Sequence, residues 1–468
     1  MAGALPKALR ARGVDVRVVM PLYAGMPWNE FEILDGLLTV PMWWGGARAR
    51  VRTGHLPDSD VPLYALEFNR YFDRPYLYGP PGEGFSDNLE RFTFLSRGAL
   101  EICKALGFIP DVIHCNDWQT ALIPVYVNTV EWMQPLHGSA TVYSIHNLAY
   151  QGVFDGNAMF ITGLGREHYN PNELEHFGAM NLTKGALYHS TLLSTVSPTY
   201  AREIQTNEYG NGLDGVLGSR SGDLIGILNG IDTDEWNPAK DRHLPASFSA
   251  ADPSGKAACK AALQKEAGFA VRPEVPLFGV IGRLTSQKGF DVLAHALDRV
   301  LSWDVQIVLL GTGDQEAERF FAWADSQRGD RFRAWLRFDN GRAHRIEAGA
   351  DFFLMPSRFE PCGLNQMYSL RYATLPVVRA TGGLVDTVQN YDERTGGGTG
   401  FMFTDLAPES LANTIGWAVS TWFDRPAHIQ AMRQRAMEQD NSWDRAAAAY
   451  EDLYHRAYER RRGHRFDG

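Results

Sequence analysis

Two cationic side chains follow an apolar segment in the second half of the chain, and their spacing suits a diphosphate. Arg283 and Lys288 come directly after the apolar residues 277–281, with Gly282 and Gly289 beside them. Because glycine has no side chain, a ligand can approach this backbone closely. Paired cations can stabilise the charge that grows on a diphosphate leaving group. An Arg-x4-Lys pair alone is more often two surface cations in a polar loop. The interpretation as a diphosphate site therefore depends on other residues.

Two further loops could complete such a pocket. Glu360 precedes a Pro-Cys-Gly-Leu segment and a helical pattern at 365–372, and Thr381 precedes Gly382 and Gly383. Backbone N–H groups at helix starts attract anions, and a carboxylate can hold sugar hydroxyls. Each loop alone could be an ordinary β–α turn. Together with the cation pair, they favour a site for a diphosphate that carries a sugar.

Polar side chains also follow three apolar segments elsewhere in the chain. Asp117, His146 and Asn229 each come after a segment that predicts a strand, and Asn147 follows His146. A lone histidine is more often a structural residue with its hydrogen bonds satisfied. Because ligands bind at the carboxyl ends of parallel strands, these positions are nevertheless candidate ligand contacts. Trp43 and Trp44 could be core residues or a platform for sugar stacking, and the sequence leaves both open.

Short apolar segments alternate with helical patterns along the chain, which predicts α/β layers with parallel sheets. Several of these segments are apolar on both faces, as buried parallel strands should be. In the first half the candidate strands are 14–20, 61–68, 111–114, 140–145, 192–196 and 224–228. In the second half they are 277–281, 305–310, 351–355, 376–378 and 400–403.

A chain of 468 residues is too long for one hydrophobic core, so we expect two domains. The Pro-, Asp- and Ser-rich segment 236–256 is interpreted as the linker. We expect a first Rossmann-like domain over 1–240, a second over 241–443 and a C-terminal helix in 444–468 that packs back on the first. Two doubly wound α/β domains would then face each other across a cleft, where ligands bind.

The composition excludes some classes of function. The net charge of −10 argues against nucleic-acid or membrane-surface partners, which need a broad basic face. The four scattered cysteines show no CxxC pairing and favour free thiols in a reducing cytosol. No apolar run reaches the roughly 18 residues of a membrane span, and the start has no signal-peptide pattern. We therefore expect a soluble cytoplasmic protein.

Six motifs occur in a fixed order: HNLAYQG, VSPTYAREI, LNGID, RLTSQKG, SRFEPCGL and TGGL. In this set the chain resembles bacterial glycogen synthase and plant starch synthase, retaining glycosyltransferases of the two-Rossmann-domain (GT-B) type, over about residues 2–454. The resemblance implies transfer of glucose from ADP-glucose to the non-reducing end of an α-1,4-glucan, glycogen or starch, with release of ADP. It implies no metal and no other cofactor.

The resemblance also assigns roles to residues. It implies that Arg283 and Lys288 bind the diphosphate, Glu360 positions the glucose, His146 lies against the sugar near the reacting carbon, and Asp117 supports the acceptor side. The remaining implied contacts are Asn147 and Asn229 to glucose, Phe338 to adenine (placed by its distance from His344 and Arg345), and Cys362, Gly363, Leu364, Thr381, Gly382 and Gly383 to phosphate or sugar through backbone groups.

Retention of configuration raises a mechanistic question. A double displacement needs a carboxylate nucleophile about 5–5.5 Å from its partner acid, and the sequence nominates none. The family is read as reacting by front-face attack through an oxocarbenium-like state, with the leaving phosphate taking the acceptor's proton. We expect catalysis to come mainly from charge stabilisation by Arg283 and Lys288 and from positioning in a closed cleft.

One feature of the family pattern is missing at the start. The family opens with a buried strand and a Lys-x-Gly-Gly-Leu loop that touches the diphosphate, whereas Met1 here falls within the helix that follows that loop. We interpret this as a start assigned too late. If the sequence as given is complete, we expect the first sheet to lack a central strand and to expose unpaired edges, and we expect weak or absent activity. Two alternatives remain: a related transferase with another nucleotide sugar or acceptor, or a form that binds glucan or nucleotide without turnover.

Overall fold

The computed structural model describes residues 1–80 and 82–466, which form two compact α/β units. The first unit contains Met1–Val196, Ala201–Ile227 and the chain from Trp443 onward, and the second contains Ser197–Tyr200 and Leu228–Ser442. The division therefore falls before Leu228, and the boundary expected at 240 lies inside the second unit. The C-terminal helix belongs to the first unit.

The first unit is built from short strands and helices. Its strands are β1 (Val18–Pro21), β2 (Glu32–Ile33), β3 (Leu38–Met42), β4 (Gly45–His55), β5 (Pro62–Glu67), β6 (Val112–Asn116), β7 (Ala140–Ile145), β8 (Val153–Asp155), β9 (Glu175–His176), β10 (Ala179–Asn181), β11 (Leu192–Thr195) and β12 (Leu224–Gly226). The helices up to this point are α1 (Leu5–Ala11), α2 (Asn69–Phe72), α3 (Asn88–Ala105), α4 (Leu122–Asn128), α5 (Leu182–His189), α6 (Pro198–Glu203) and α7 (Asp214–Ser219).

Most strands of the first unit form two separate sheets. One, with the order β12-β11-β7-β6, is parallel. The other has the order β1-β5-β4-β2 with β3 beside β4, and it is antiparallel except for the β1–β5 pair. In the part of the chain that the structure describes, β1 pairs only with β5 and β6 only with β7, so both are edge strands.

The second unit has a single parallel sheet. Its strands are β13 (Leu277–Ile281), β14 (Gln306–Leu310), β15 (Phe332–Trp335), β16 (Phe352–Met355), β17 (Leu375–Arg379) and β18 (Phe401–Phe403). Its helices are α8 (Gly255–Glu266), α9 (Phe290–Val300), α10 (Gln315–Arg328), α11 (Asn340–Gly349), α12 (Asn365–Arg371), α13 (Gly382–Thr387), α14 (Pro408–Asp424) and α15 (Pro426–Glu438).

The strand order of this sheet, β15-β14-β13-β16-β17-β18, reverses direction between β13 and β16. Such a reversal is the topological switch point of a doubly wound sheet, and ligands bind outside the carboxyl ends of the strands there. β14 and β16 are buried at every position, as expected for strands covered by helices on both faces. The expectation of two Rossmann-like domains is confirmed.

The final helix, α16 (Trp443–Arg462), packs on the first unit. Its buried residues Ala447, Tyr450, Leu453 and Ala457 recur at helical spacing and share a core with Leu5 of α1. The apolar stripe is the reason that the helix docks there. None of the helices within 1–80 and 82–466 has the length and apolar character required to cross a bilayer.

The interpretation of 236–256 as a linker is corrected by the structure. Trp236 stacks on His344 and Tyr368, with ring centroids 3.8 Å apart in each case. The Asp241 carboxylate accepts a hydrogen bond from the Tyr372 hydroxyl at 2.6 Å. These aromatic contacts hold the segment in the core of the second unit, although its composition is typical of a loop.

Candidate active site

The loop after β13 brings Lys288 to the switch point of the second sheet. A short turn at Ser286–Lys288 ends at Gly289, whose φ of 72° lies in the left-handed region. A Cβ on Gly289 would lie 1.9 Å from the Pro356 carbonyl oxygen, so only glycine fits between this loop and the end of β16. The close contact places the cation loop directly against the segment that follows β16.

Lys288 and Glu360 form an ion pair at this point. The Lys288 ammonium donates to Glu360 Oε2 at 2.6 Å, and the Ser357 hydroxyl donates to the same oxygen at 3.1 Å. The Lys288 side chain is 25% exposed and that of Glu360 only 7%. The carboxylate is thus almost fully buried with its charge compensated, while the ammonium still reaches the surface.

Arg358 fixes the register of the two loops. Its guanidinium makes two hydrogen bonds to the Asp291 carboxylate, at 2.7 and 2.6 Å, and one to the Ser286 carbonyl at 2.8 Å. Its own amide donates to the Gln287 carbonyl at 2.9 Å. A bidentate pair of this kind gives geometric specificity as well as energy. Arg358 therefore acts as a positioning residue for the Lys288–Glu360 pair.

The glycines after β17 allow a third loop to pack on the second. A Cβ on Gly382 would lie 2.0 Å from the Glu360 carbonyl oxygen, and one on Gly383 would lie 2.0 Å from the Cys362 carbonyl oxygen. The Gly383 amide donates to the carbonyls of Glu360 and Pro361, and the Thr381 amide donates to the Arg379 carbonyl. These two amides are therefore engaged in hydrogen bonds within the protein. In this structure they pack the third loop on the second, whereas we expected from the sequence that they would contact phosphate or sugar.

Asn229 also lies at this cluster. Its backbone amide hydrogen-bonds the Cys362 thiol, although burial dominates and raises the pKa of that thiol to about 12. Its side-chain oxygen Oδ1 is buried and has no hydrogen-bond partner within the described residues. A buried acceptor without a partner carries a desolvation cost. A ligand hydroxyl could remove that cost.

Arg283 and Phe338 are exposed. Within residues 1–80 and 82–466 the Arg283 guanidinium makes no hydrogen bond or ion pair, so it can respond to an anion. Phe338 lies between β15 and α11 with 86% of its surface exposed. Leu364, before α12, is 39% exposed, and Gly363 adopts a φ of 70° in the same turn. The residues of the second unit described so far are called the switch-point cluster below. They are Asn229, Arg283, Lys288, Phe338, Ser357, Arg358, Glu360, Cys362, Gly363, Leu364, Thr381, Gly382 and Gly383.

The first unit holds a second group, Asp117, His146 and Asn147, called the β6–β7 cluster. Asp117 follows β6 with a φ of 54°, a strained conformation for a residue with a side chain. Its Oδ1 accepts the His146 amide at 2.8 Å, which ties together the ends of β6 and β7. Burial raises the pKa of the Asp117 carboxyl, against the opposing effect of His146.

The imidazole of His146 is held by a residue that the sequence analysis did not single out. His146 Nε2 lies 2.9 Å from Asn116 Oδ1. Since an amide oxygen only accepts, Nε2 carries the proton and Nδ1 keeps its lone pair in the neutral ring. Burial lowers the pKa of His146, which favours that neutral form. The Asn147 Oδ1 accepts the Ala149 amide at 3.1 Å and so shapes the turn after β7.

His114, in the same motif as Asp117, is structural. Its Nδ1 lies 2.7 Å from the Tyr454 hydroxyl and its Nε2 lies 2.6 Å from the Ser144 hydroxyl. Burial lowers its pKa to about 3, so the ring stays neutral. Trp43 and Trp44 are exposed to 47% and 41%, so neither is a core residue.

The structure thus adds Asn116, Ser357 and Arg358 as supporting residues. Asn116 and Ser357 each lie two residues after the end of a predicted strand, 111–114 and 351–355 respectively, and that position was the only signal available in the sequence. The partners of the Arg358 guanidinium lie 67 or more residues away in the sequence, so its role could be recognised only from the fold. The Lys288 ammonium occupies Oε2 of the Glu360 carboxylate, so this oxygen is engaged within the protein.

Comparison with known proteins follows the same division. Residues 1–219 match the family model for the starch synthase catalytic domain, and residues 264–439 match that for glycosyl transferases group 1. The chain is 50% identical to "Glycogen synthase 1" of Geobacter metallireducens over 467 residues, covering 99% of this chain and 93% of that protein. It is 49% identical to "Glycogen synthase" of an Anaeromyxobacter species, covering 97% and 94%.

Solved structures give the same result. The catalytic domain of starch synthase IV from Arabidopsis thaliana, solved bound to ADP and acarbose, superposes with a TM-score of 0.89 at 34% identity, covering 97% of this chain and 94% of that one. Sucrose-phosphate synthase from Thermosynechococcus elongatus, with a TM-score of 0.59 at 16% identity over 96% and 90%, shares the fold alone. This chain belongs to the glycogen synthase and starch synthase family of glycosyltransferases.

Proposed function

We propose that the protein is a glycogen synthase that transfers glucose from ADP-glucose to the non-reducing end of an α-1,4-glucan, with release of ADP. The observation that carries this proposal is the Lys288–Glu360 ion pair at the switch point between β13 and β16, at 2.6 Å. Ligands bind at such points. The 50% identity to a glycogen synthase over nearly the whole chain supports the same substrates.

The donor's diphosphate is assigned to Arg283 and Lys288. Arg283 is exposed and Lys288 partly exposed on one loop, so both can reach phosphate oxygens. Charge accumulates on these oxygens as the glycosidic bond breaks, and fixed cations stabilise that state more than the ground state. Phe338 would stack on the adenine, because its ring is exposed and therefore open to a base.

The glucose is assigned to Glu360 and Asn229. The Glu360 carboxylate already holds Lys288 and Ser357 through Oε2, which leaves Oε1 to accept from a sugar hydroxyl. The unpartnered Oδ1 of Asn229 is a second acceptor. Gly382 and Gly383 allow the third loop to pack directly against the backbone of Glu360 and Cys362. Two acceptors of fixed orientation would discriminate the pattern of hydroxyls on the sugar.

The β6–β7 cluster is assigned to the sugar and the acceptor. His146 is neutral with its free lone pair on Nδ1, and Asp117 holds its backbone. We assign His146 to the glucose near the reacting carbon, Asn147 to its hydroxyls, and Asp117 to support of the acceptor side. The neutral ring suits this position, because an imidazolium would repel an oxocarbenium-like sugar.

The reaction proceeds with retention by front-face attack. The bond from the anomeric carbon to the diphosphate oxygen breaks while the bond to the acceptor oxygen forms on the same face. The acceptor's proton passes to the leaving phosphate oxygen, so ADP departs with the charge balanced. No nucleophilic carboxylate and no metal ion enters the scheme. The expected cytoplasmic location stays a prediction.

An assay of donor and product tests the proposal. Purified protein is incubated with glycogen and radiolabelled ADP-glucose or UDP-glucose, and both nucleotide release and label in the glucan are measured. We expect ADP-glucose to be preferred, an α-1,4 product, and no turnover in Glu360→Gln. Preference for UDP-glucose would favour a related transferase, and binding of ADP-glucose without release of ADP would favour the binding-only alternative.

A further inference from the structure

Two histidines and a glutamate converge in the first unit, and none of them is among the residues assigned to glucosyl transfer. His168 ends a short turn at Arg166–His168, Glu173 lies in the loop that follows, and His189 is the last residue of α5. None of the three belongs to the β6–β7 cluster. They form the one group of three such side chains, among those the structure describes, whose ligand atoms could meet at a metal ion.

The geometry of this triad points to a single centre. His168 Nδ1 lies 2.7 Å from Glu173 Oε2, and His189 Nε2 lies 3.0 Å from the same oxygen. All three atoms lie within 4.8 Å of one another. Tetrahedral Zn²⁺ with ligands at about 2.0–2.1 Å separates its ligand atoms by roughly 3.4 Å. Small side-chain movements that change these separations to about 3.4 Å would therefore let the ion replace the two hydrogen bonds.

The ligands are held by further contacts, as those of metal sites are. Asn170 Nδ2 donates to the other Glu173 oxygen, Oε1, at 3.1 Å. Glu167 Oε1 lies 4.0 Å from His168 Nε2, which is beyond hydrogen-bond distance. Asn170 is therefore the partner that orients a ligand of the triad.

The triad is also partly open to solvent. The side chains of His168, Glu173 and His189 are 19%, 24% and 14% exposed. His189 also lines a surface hollow of about 610 Å³, but the other lining residues include Arg220, Arg460 and Arg461 and neither His168 nor Glu173. Access for an ion therefore depends on the partial exposure of the three side chains themselves, and a water molecule can complete the fourth position that three protein ligands leave open.

We propose that His168, Glu173 and His189 bind one Zn²⁺ ion. Two imidazole nitrogens and one carboxylate oxygen form a donor set that favours zinc over magnesium or calcium, because those two ions take oxygen ligands. The ion clips the loop after Leu164 to the end of α5. Lys184 of α5 already donates to the Pro171 and Glu175 carbonyls in that loop, so the metal reinforces a fold that forms without it.

The test uses the full chain after treatment with a chelator. Zn²⁺ is titrated by competition with a chromophoric chelator, and the thermal midpoint is measured with and without the ion. We expect one equivalent to bind and to raise the midpoint, because a ligand specific for the folded state stabilises it. In His168→Gln and His189→Gln the affinity should fall at least tenfold. His295→Gln, which removes an exposed histidine of α9, is the matched control and should bind as the wild type does.

Other outcomes overturn the proposal. If wild-type protein takes up no zinc, or binds it no more tightly than both histidine variants, the triad is a hydrogen-bonded pair of imidazoles on one carboxylate. If a histidine variant folds poorly, Glu173→Gln replaces it, because the amide can still accept from both rings and removes only the anionic ligand. Co²⁺ provides a second readout: wild-type protein should show the visible absorption of a tetrahedral site, and Glu173→Gln should not.

Discussion

Replacement of Lys288 by alanine tests the role of the switch-point cluster. The variant removes the cation that we assign to the diphosphate, 2.6 Å from Glu360. Loss of one fixed group that stabilises transition-state charge costs about 2.7–4 kcal/mol, or on the order of 100- to 1,000-fold in kcat. The binding of glucan should change little, since Lys288 is not assigned to the acceptor.

The same substitution leaves the Glu360 carboxylate, only 7% exposed, without its counter-ion. Removal of one partner from a buried pair costs about 3–5 kcal/mol, and the 25% exposure of Lys288 places this variant at or below the lower end. The double variant Lys288→Ala/Glu360→Gln should therefore regain stability but not activity. This separates the loss of charge stabilisation from a loss of folding.

The assay is initial-rate release of ADP at saturating glycogen, with glucan affinity measured separately and stability measured by denaturant unfolding. Lys240→Ala is the matched control, because Lys240 makes an exposed ion pair with Asp234 in the same unit, and its kcat should equal that of the wild type. Equal losses of rate and of glucan affinity in Lys288→Ala, or recovery of rate in the double variant, would refute the reasoning.

Three further predictions concern packing, pH and the nucleotide. Gly383→Ala should lower the free energy of unfolding by about 1–3 kcal/mol, because its Cβ would lie 2.0 Å from a carbonyl oxygen, whereas Gly215→Ala, on a helix with open space around it, should be neutral or stabilising by denaturant unfolding. The free energy of unfolding should fall as the pH drops from about 6.5 towards 3. The reason is that unfolded His114 takes up a proton at its ordinary pKa of 6.5, while burial lowers the pKa in the folded state to about 3. The unfolding free energy of His114→Gln, measured at pH 7 and pH 5, should therefore depend less on pH than that of the wild type, and an unchanged pH dependence would contradict this. Phe338→Ala should raise the KM for ADP-glucose roughly 5- to 150-fold, from about 1–3 kcal/mol of base stacking. Stability should not fall, because the ring is 86% exposed. Phe423→Ala, which removes another exposed ring of that unit, should leave the KM unchanged.

The parts of the fold that the sequence predicted were the buried parallel strands. β7, β13 and β11 lie within or at the predicted segments, and nearly all of their residues are buried, although β7 and β11 also contain serine and threonine. β4 was not predicted, since buried alanines and Val51 alternate in it with outward-facing arginines. This is the period of a half-exposed antiparallel strand. A search for apolar runs overlooks such a strand.

The candidate site was predictable in its residue types but not in its geometry. Lys288 and Glu360 are 72 residues apart, and only the strand order brings them into contact. The engagement of the Gly383 amide with carbonyls of the preceding loop depends on an approach that no sequence spacing encodes. Likewise, the unpartnered oxygen of Asn229 is visible only once its neighbours are placed.

The most direct measurement is a crystal structure of the protein with ADP bound. The account predicts diphosphate oxygens at about 2.7–3.2 Å from Lys288 Nζ and from the Arg283 guanidinium, at the carboxyl ends of β13 and β16. A diphosphate bound elsewhere, with Arg283 and Lys288 both turned away from it, would contradict the account.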